Sequence, residues 1–236
     1  MPVETPFMAA EADRAFAALQ AGGVAVLPMD VGYSAIGGSH AALRRIFEAK
    51  RRQPSKFNAM IGDDALARAL YVLPARGWEV FDAITQDDDL PLGVIGPCRM
   101  DHPILATMDP AALAMSTKDG TLCMLTNAGP FHAAISRRSR ESGHALFGSS
   151  ANLSLAGTKF RAADIEPEIR RIADVIIDHG LRKCWPYRAS STLLDLTTFE
   201  VVRFGSSYEL IQDALSRRFG IALPDAPTPL RIVEET

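Results

Sequence analysis

The chain has 236 residues, of which 47% are hydrophobic and 22% charged, and its formal net charge is -3. This composition is typical of a soluble globular protein with a full hydrophobic core, and the slight negative charge argues against a generally basic nucleic-acid coat. The three cysteines, Cys98, Cys123 and Cys184, are widely spaced without a CxxC pair, which favours neither a disulfide framework nor a structural zinc site. With no leader-like N-terminus and no run of about 18 apolar residues, a cytoplasmic location without membrane contact is expected.

The residue pattern predicts one mixed α/β domain, because helical spacing and short apolar runs alternate without an internal repeat or a linker. The predicted helices cover about residues 9–20, 40–50, 64–74, 78–84, 131–140, 167–173 and 208–219, and the predicted strands residues 24–27, 57–61, 121–125, 175–177, 191–196 and 201–204. Residues 29–33 and 148–154 are expected on loops, and Leu92–Ile95 on an edge strand, since prolines surround it. A single domain, residues 1–236, is predicted, with a core at about residues 10–207 and a C-terminal helix and proline-containing tail at 208–236.

Lys50 interrupts the apolar face of the helix that Ser39 is expected to cap. In line with it on that face are Leu43, Ile46 and Phe47. Such a lysine either reaches back to solvent at the helix end or points into a cleft, and the pattern alone leaves both open. Arg52 and Lys56 follow on a segment broken by Pro54, so three cations can converge, which suits a phosphate-bearing ligand.

The predicted loop at residues 148–154 is rich in small and hydroxyl-bearing residues. It follows a strand and offers backbone N–H groups beside Ser149, Ser150, Asn152 and Ser154, as a phosphate site requires. A plain Ser/Asn turn explains the same pattern. Neither GxxxxGK[ST] nor GxGxxG occurs, and the five histidines lack the spacing of metal ligands, so no metal site is predicted.

Five separate segments match the motifs of one known family. They are Pro28–Tyr33, similar to PTDT-x-YG; Lys50, Arg52 and Lys56, similar to KxR…K; Ser150–Ser154, similar to SANLS; Ser191–Asp195, similar to STVVD; and Val202–Gly205, similar to LRPG. In order and spacing the chain thus resembles, over about residues 10–207, the YrdC-like domain of threonylcarbamoyl-AMP synthases. The resemblance implies a twisted mixed parallel and antiparallel sheet with helices on its outer faces and a basic concave cleft.

The resemblance also implies a substrate and a reaction. Family members with all motifs combine threonine, bicarbonate and ATP into threonylcarbamoyl-adenylate and release pyrophosphate, for the threonylcarbamoyladenosine modification of tRNA. ATP with Mg²⁺ is therefore expected as a substrate, without a tightly bound organic cofactor, and Lys50 and Arg52 are the expected catalytic residues. The residues expected to contact the nucleotide are Lys50, Arg52, Lys56, Thr121, Ser150, Asn152, Thr158, Ser191 and Arg203.

The expected second-substrate pocket departs from the family pattern. Met29 and Val31 replace the threonines of PTDT, Leu125 stands where a gapless alignment places an arginine, and Gly148 replaces a small hydroxyl residue. Tyr33 completes this pocket, and the strand end that carries it is similar to that of YciO-type paralogues. An amino-acid carboxylate normally binds an arginine, which leucine cannot replace. The departures predict that phosphate binding is kept while threonine recognition is altered or absent.

Two functions follow from the sequence. The first is adenylate formation by a nucleotidyltransferase of the threonylcarbamoyl-AMP synthase type, from ATP, bicarbonate and threonine or another amino acid. The second is a non-catalytic YciO-type module that binds double-stranded RNA or tRNA, since a basic cleft accepts a polyphosphate backbone as well as a nucleotide. The sequence does not identify a protein partner.

Overall fold

The computed structural model describes residues 4–53 and 56–227, and within these residues ten strands form one mixed sheet with helices packed on both faces. The strands are β1 (Ala25–Met29), β2 (Gly32–Gly37), β3 (Ala59–Ile61), β4 (Leu92–Pro97), β5 (Thr117–Lys118), β6 (Thr121–Thr126), β7 (Phe147–Ser150), β8 (Val175–Ile176), β9 (Leu193–Asp195) and β10 (Val201–Arg203). Their spatial order is β10-β9-β4-β6-β3-β7-β2-β1-β8, and β5 pairs with β6 outside this path. Parallel pairs join β1 to β8, β3 to β6 and β4 to β9, while the other pairs are antiparallel. The predicted α/β class, a mixed parallel and antiparallel sheet with helices on its outer faces, is thereby confirmed, whereas the basic concave cleft stays a prediction.

Nine α-helices connect the strands in the described part of the chain. They are α1 (Pro6–Gln20), α2 (His40–Ala49), α3 (Asp64–Leu70), α4 (Ala75–Asp82), α5 (Pro103–Ala106), α6 (Pro110–Ala114), α7 (Pro130–Ser142), α8 (Pro167–Ile172) and α9 (Tyr208–Phe219), and a π-helical turn, Ala83–Asp87, continues α4. Ser39 caps α2 as predicted, because its hydroxyl accepts a hydrogen bond from the Ala42 amide at 3.1 Å. Among the described residues, no helix combines the length and the apolar character that crossing a membrane requires.

The sheet separates two hydrophobic cores. On one face α1 and α7 pack over β1, β2 and the end of β6, with Phe16, Leu27 and Phe131 among the buried residues. On the other face α2, α3, α4 and α9 surround a larger core that contains Ile46, Phe81 and other large side chains. Because neighbouring residues of a strand point to opposite faces, β1, β2, β3 and β6 each contribute to both cores.

Strand β6 shows where one face is left open. Leu122 and Met124 point into the larger core, whereas Leu125 belongs to the core under α1 and α7. Cys123 points to the same face as Leu125 but is only partly buried, like its neighbour Ile95 on β4. The face that α1 and α7 cover at one end is therefore accessible farther along, and this open part carries the candidate site.

Three local predictions were wrong. The strand at residues 92–97 lies inside the sheet, between β9 and β6, and is not an edge strand. Its prolines precede it or end it, so the backbone N–H groups in between remain free to pair. Residues 29–33 are a tight hairpin, since Met29 pairs with Gly32 and only Asp30 and Val31 form the turn. The expected loop at 148–154 begins as a strand, because Gly148–Ser150 pair with β2. Pro54 and residues 228–236 of the predicted tail lie outside the described residues.

Candidate anion-binding site

Lys50 joins the end of α2 to the chain that follows β7. Its side chain is buried, with the residue 3% exposed, so it does not reach back to solvent. The ammonium donates to the carbonyl oxygens of Ser150 and Asn152, the latter at 2.6 Å, and to the Asn152 side-chain oxygen at 3.4 Å. In return, the Ser154 amide donates to the Lys50 carbonyl at 3.0 Å. The resemblance placed Lys50, Ser150 and Asn152 in one site, and the structure brings them into contact.

Burial dominates the electrostatics of Lys50. The pKa of its ammonium is lowered from 10.5 to about 7, mainly because burial removes water and also because of the positive charge of Arg52, while Glu166 acts in the opposite direction. The three oxygen acceptors stabilise the charged form where water cannot. Lys50 is thus a cation held in place by backbone carbonyls, and no carboxylate forms an ion pair with it in the described part of the chain.

Arg52 follows on the turn after α2. Its guanidinium lies over the Phe47 ring, 5.6 Å from the ring centroid, and Nη2 donates to the Phe57 carbonyl at 2.5 Å. Its Nε atom is buried and has no hydrogen-bond partner among the residues that the structure describes. Burial lowers the pKa of Arg52 to about 10, and repulsion from Arg203 contributes to this shift. Arg52 therefore retains hydrogen-bonding capacity beside a second guanidinium.

Arg203 on β10 is that second guanidinium. Nε and Nη2 donate to the carbonyl oxygen of Ser191 at 3.1 and 2.7 Å, and Nη2 also lies 3.2 Å from the Ser191 hydroxyl. Arg203 is an exposed residue, but the atoms around its guanidinium exclude part of the water and lower its pKa. Cys123 lies near both arginines, and burial raises the pKa of its thiol to about 11 against the opposing effect of the two positive charges. Sequence reasoning did not select Cys123, although strand alternation from Thr121 places it on this face.

These cations share one property: none has a carboxylate partner in residues 4–53 and 56–227. Among the described residues, ion pairs within 4.0 Å involve neither Lys50 nor Arg52 nor Arg203. Most other buried or partly buried cations of this chain are neutralised, as Arg138 is by Glu4 and Asp13. Desolvated, mutually repelling cations without counter-ions are the electrostatic signature of an anion site.

In the described part of the chain, no hydrogen bond joins three residues predicted to contact the nucleotide to these cations. Lys56 is exposed, and its backbone amide donates to the Gln53 carbonyl at 3.1 Å. The Thr121 hydroxyl donates to the Lys118 carbonyl at 2.6 Å, at the start of β6. Thr158 packs against Gly32, where an added Cβ would lie 2.3 Å from its methyl group. Their roles stay predictions.

The residues predicted for the second substrate are apolar or committed to the fold. Met29, Val31 and Leu125 are 0%, 2% and 7% exposed and pack in the core under α1 and α7. Tyr33 points to the other face, where its hydroxyl lies 2.8 Å from Asp178 Oδ1 and accepts from the His179 amide at 3.1 Å, and burial raises its pKa to about 12. At Gly148 a Cβ would lie 2.0 Å from the Ala35 carbonyl oxygen. None of these five side chains offers a positive charge to a carboxylate.

A cavity of about 480 Å³ lies elsewhere, at the N-terminal end of α2, where Ser39, His40, Asp109 and His144 line it. The ten residues of α2 span about 15 Å, which separates this cavity from Lys50. Lys50, Arg52 and Arg203 are thus the better candidates for the phosphate binding that the sequence predicted, because none of them lines this cavity.

A sequence model of one family, described as telomere recombination and covering Sua5, YciO and YrdC, matches residues 17–205. The chain belongs to the Sua5/YciO/YrdC family. No curated protein matches the sequence.

Solved structures share the fold of this Sua5/YciO/YrdC domain. The hypothetical protein smu.1377c of Streptococcus mutans UA159 has a TM-score of 0.73 at 21% identity and covers 89% of this chain and 92% of its own. P. abyssi Sua5, in complex with L-threonine, has a TM-score of 0.67 at 20% identity, over 92% of this chain and 59% of that longer one. E. coli YciO has a TM-score of 0.65 at 18% identity, over 85% and 92% of the two chains. At these identities the likeness establishes the fold.

Proposed function

We propose that this Sua5/YciO/YrdC domain binds ATP, with the polyphosphate held by Lys50, Arg52 and Arg203. The observation that carries the proposal is the absence of a carboxylate partner for all three cations in the described part of the chain. An anion that joins them relieves their mutual repulsion and restores the stabilisation that burial removes. The P. abyssi Sua5 structure, solved with L-threonine, supports a small-molecule site in this fold.

The reaction that fits this site is formation of an adenylate with release of pyrophosphate, as a step toward modified adenosine in tRNA. A carbamate oxygen of the co-substrate attacks the α-phosphorus, the bond to the bridging oxygen breaks, and the electron pair leaves with pyrophosphate. Negative charge grows on the phosphate oxygens during this step, so Lys50 and Arg52 stabilise it and Arg203 holds the leaving group. Ser150, Asn152 and Ser191 position the nucleotide through hydrogen bonds. The described residues contain no group of three His, Cys, Asp or Glu suited to a metal, so we assign no protein ligand to Mg²⁺.

Binding of ATP to purified variants tests the site. We expect Lys50→Met and Arg203→Ala to weaken ATP binding by about tenfold or more, because each removes a charge-assisted hydrogen bond worth roughly 1.5–3 kcal/mol. Arg44→Ala is the matched control, since Arg44 is exposed on α2 and forms a surface ion pair with Glu48, four residues along the same helix. Circular dichroism verifies that each variant is folded. Unchanged ATP affinity in both folded site variants contradicts the assignment.

Pyrophosphate release tests the reaction. ATP and bicarbonate are supplied with threonine, and then with other amino acids in turn. Stimulation by one amino acid, abolished in Lys50→Met, supports adenylate formation.

A second candidate function is a non-catalytic module that binds double-stranded RNA or tRNA. The observation in its favour is the second-substrate position, where Met29, Val31 and Leu125 are buried and carry no group for an amino acid. The fold shared with YciO is consistent with it. If no amino acid stimulates pyrophosphate release while duplex RNA binds with a steep salt dependence, this second function replaces the first.

A further inference from the structure

The chain between Ala151 and Lys159 is a closed loop, because both of its ends are bonded to one residue of β2. The Ala151 amide donates to the Tyr33 carbonyl at 2.7 Å, and the Tyr33 amide donates to the Lys159 carbonyl at 2.8 Å. Residues 152–158, between these ends, lie in turns and irregular structure. Their conformation therefore depends on contacts with other parts of the chain.

Two residues from outside the loop hold three consecutive positions of it. Lys50 holds Asn152 and Ser154, because its ammonium donates to the Asn152 carbonyl and its own carbonyl accepts from the Ser154 amide. The Leu153 amide between them donates to Glu166 Oε2 at 3.3 Å. Glu166 immediately precedes α8, and its side chain makes no cap hydrogen bond to that helix. One cation and one anion thus fix the backbone from Asn152 to Ser154.

Lys159 keeps the Glu166 carboxylate in this position. Its ammonium lies 2.6 Å from Glu166 Oε1 and also donates to the Ala156 carbonyl at 3.3 Å. Both side chains of the pair are only 18% exposed, so water and salt screen this ion pair less than an exposed one. Burial opposes the charge of Glu166, but the hydrogen bonds from Lys159 and from the Leu153 amide outweigh burial and lower the pKa of the carboxyl group. The carboxylate is therefore ionised where it contacts the loop.

We propose that Glu166 is a positioning residue for the anion site, which holds the backbone from Asn152 to Ser154 in the conformation that binds phosphate next to Lys50. This inference rests on the proposed ATP site. A loop that is already ordered loses less conformational entropy when a ligand binds, so the contact raises affinity although Glu166 itself repels phosphate.

The charge of Glu166 has a second effect on the same site. Burial and the positive charge of Arg52 lower the pKa of Lys50, whereas Glu166 raises it. Glu166 therefore favours the charged ammonium, which is the form of Lys50 that binds an anion.

Two substitutions of Glu166 separate the hydrogen bond from the charge. Glu166→Ala removes the acceptor of the Leu153 amide. We expect hydrogen exchange of that amide, measured by NMR without nucleotide, to become about tenfold faster and ATP binding to become about fivefold weaker. Glu166→Gln keeps an oxygen acceptor and should retain slow exchange. Because Lys50 loses its proton more readily in this variant, its ATP affinity should decline at lower pH than that of the wild type, while the two proteins bind alike at about pH 6.

Glu168→Gln is the matched control for the charge. Glu168 stands two residues farther along, in the first turn of α8, and its carboxylate forms no ion pair in the described part of the chain. This variant should show the amide exchange and the pH profile of ATP binding of the wild type.

Wild-type exchange of the Leu153 amide in Glu166→Ala contradicts the positioning role, whatever the ATP affinity. Faster exchange together with wild-type ATP affinity at every pH in both Glu166 variants also overturns it, because the contact then serves only the fold. Both results leave the proposed ATP site intact. If the wild type binds no ATP, the proposed ATP site fails and the role of Glu166 in binding fails with it.

Discussion

Lys50 shows how a single charged residue can be both structural and poised for a ligand. Its ammonium bonds three oxygens at Ser150 and Asn152, which fixes the chain after β7 to the end of α2. Transfer from water still disfavours the charge, as the lowered pKa of about 7 indicates. A phosphate group bound next to Lys50 would supply the negative charge that the carbonyl groups lack. Binding of the phosphate would therefore also increase the free energy of unfolding.

The pH dependence of stability tests this coupling. An ammonium whose pKa falls from 10.5 in the unfolded chain to about 7 in the folded one binds fewer protons in the folded state between these values. The free energy of unfolding therefore rises with pH through that window, and the penalty is fully present below pH 7. Between pH 7 and 8.5 we expect the wild type to gain about 1–2 kcal/mol relative to Lys50→Met, measured by urea unfolding without nucleotide.

Lys118→Met provides the control for that measurement, because Lys118 is exposed on β5. It should follow the pH profile of the wild type. Parallel profiles for the wild type and Lys50→Met would show that the Lys50 pKa is not lowered by folding.

At the scale of elements, the close approach of β2 and β7 limits which side chain can stand at residue 148, two residues before Ser150. Gly148 pairs with Ile36, and a side chain at this position would meet both the Ala35 backbone and the Ile36 methyl group, 2.0 and 2.7 Å from an added Cβ. The hydroxyl residue that the family pattern carries here thus has no room in this chain. The hydroxyl residue is therefore absent at a position where the two strands pack too closely for any side chain.

Gly148→Ser should destabilise the protein and not improve its response to an amino acid. Since the nearest obstacle is backbone, which yields only at high cost, we expect a loss of about 2–3 kcal/mol in thermal or urea unfolding. Ser149→Ala, one residue along the strand, is the control: its buried hydroxyl has no hydrogen-bond partner among the described residues, so its removal breaks no bond and should not destabilise the protein. A Gly148→Ser variant as stable as the wild type would mean that β2 and β7 can separate.

At the scale of the whole molecule, one sheet links the two cores. Strands such as β6 contribute alternate residues to each core. If these strands unfold, both cores are therefore disrupted together. The net charge of -3 coexists with cations that lack carboxylate partners at residues 50, 52 and 203, because many of the acidic residues pair with arginines elsewhere. The long-range field of the protein is therefore weak, and the attraction of an anion is local.

This architecture predicts cooperative unfolding of the described domain. The two tryptophans report on different regions, since Trp78 packs edge-to-face on Phe81 at 5.6 Å whereas Trp185 lies partly exposed in the loop before β9. We expect fluorescence of the wild type and of Trp185→Phe to show the same urea midpoint as far-UV circular dichroism, because both cores share the sheet. Separate midpoints would indicate two independently unfolding halves.

The sequence by itself determined the α/β class, the Ser39 cap of α2 and the family, because these depend on local periodicity, capping chemistry and ordered motifs. It also selected Lys50, Ser150 and Asn152, which the structure joins through direct hydrogen bonds. Tertiary structure alone decided that β4 is an interior strand, that Lys50 is buried by the chain after β7, and that Arg52, Arg203 and Cys123 are neighbours. The physical reason is that these residues are far apart along the chain, and only the order of the strands in the sheet brings β6, β10 and the end of α2 together. The pKa values of the cations depend on burial, and burial in turn depends on this arrangement.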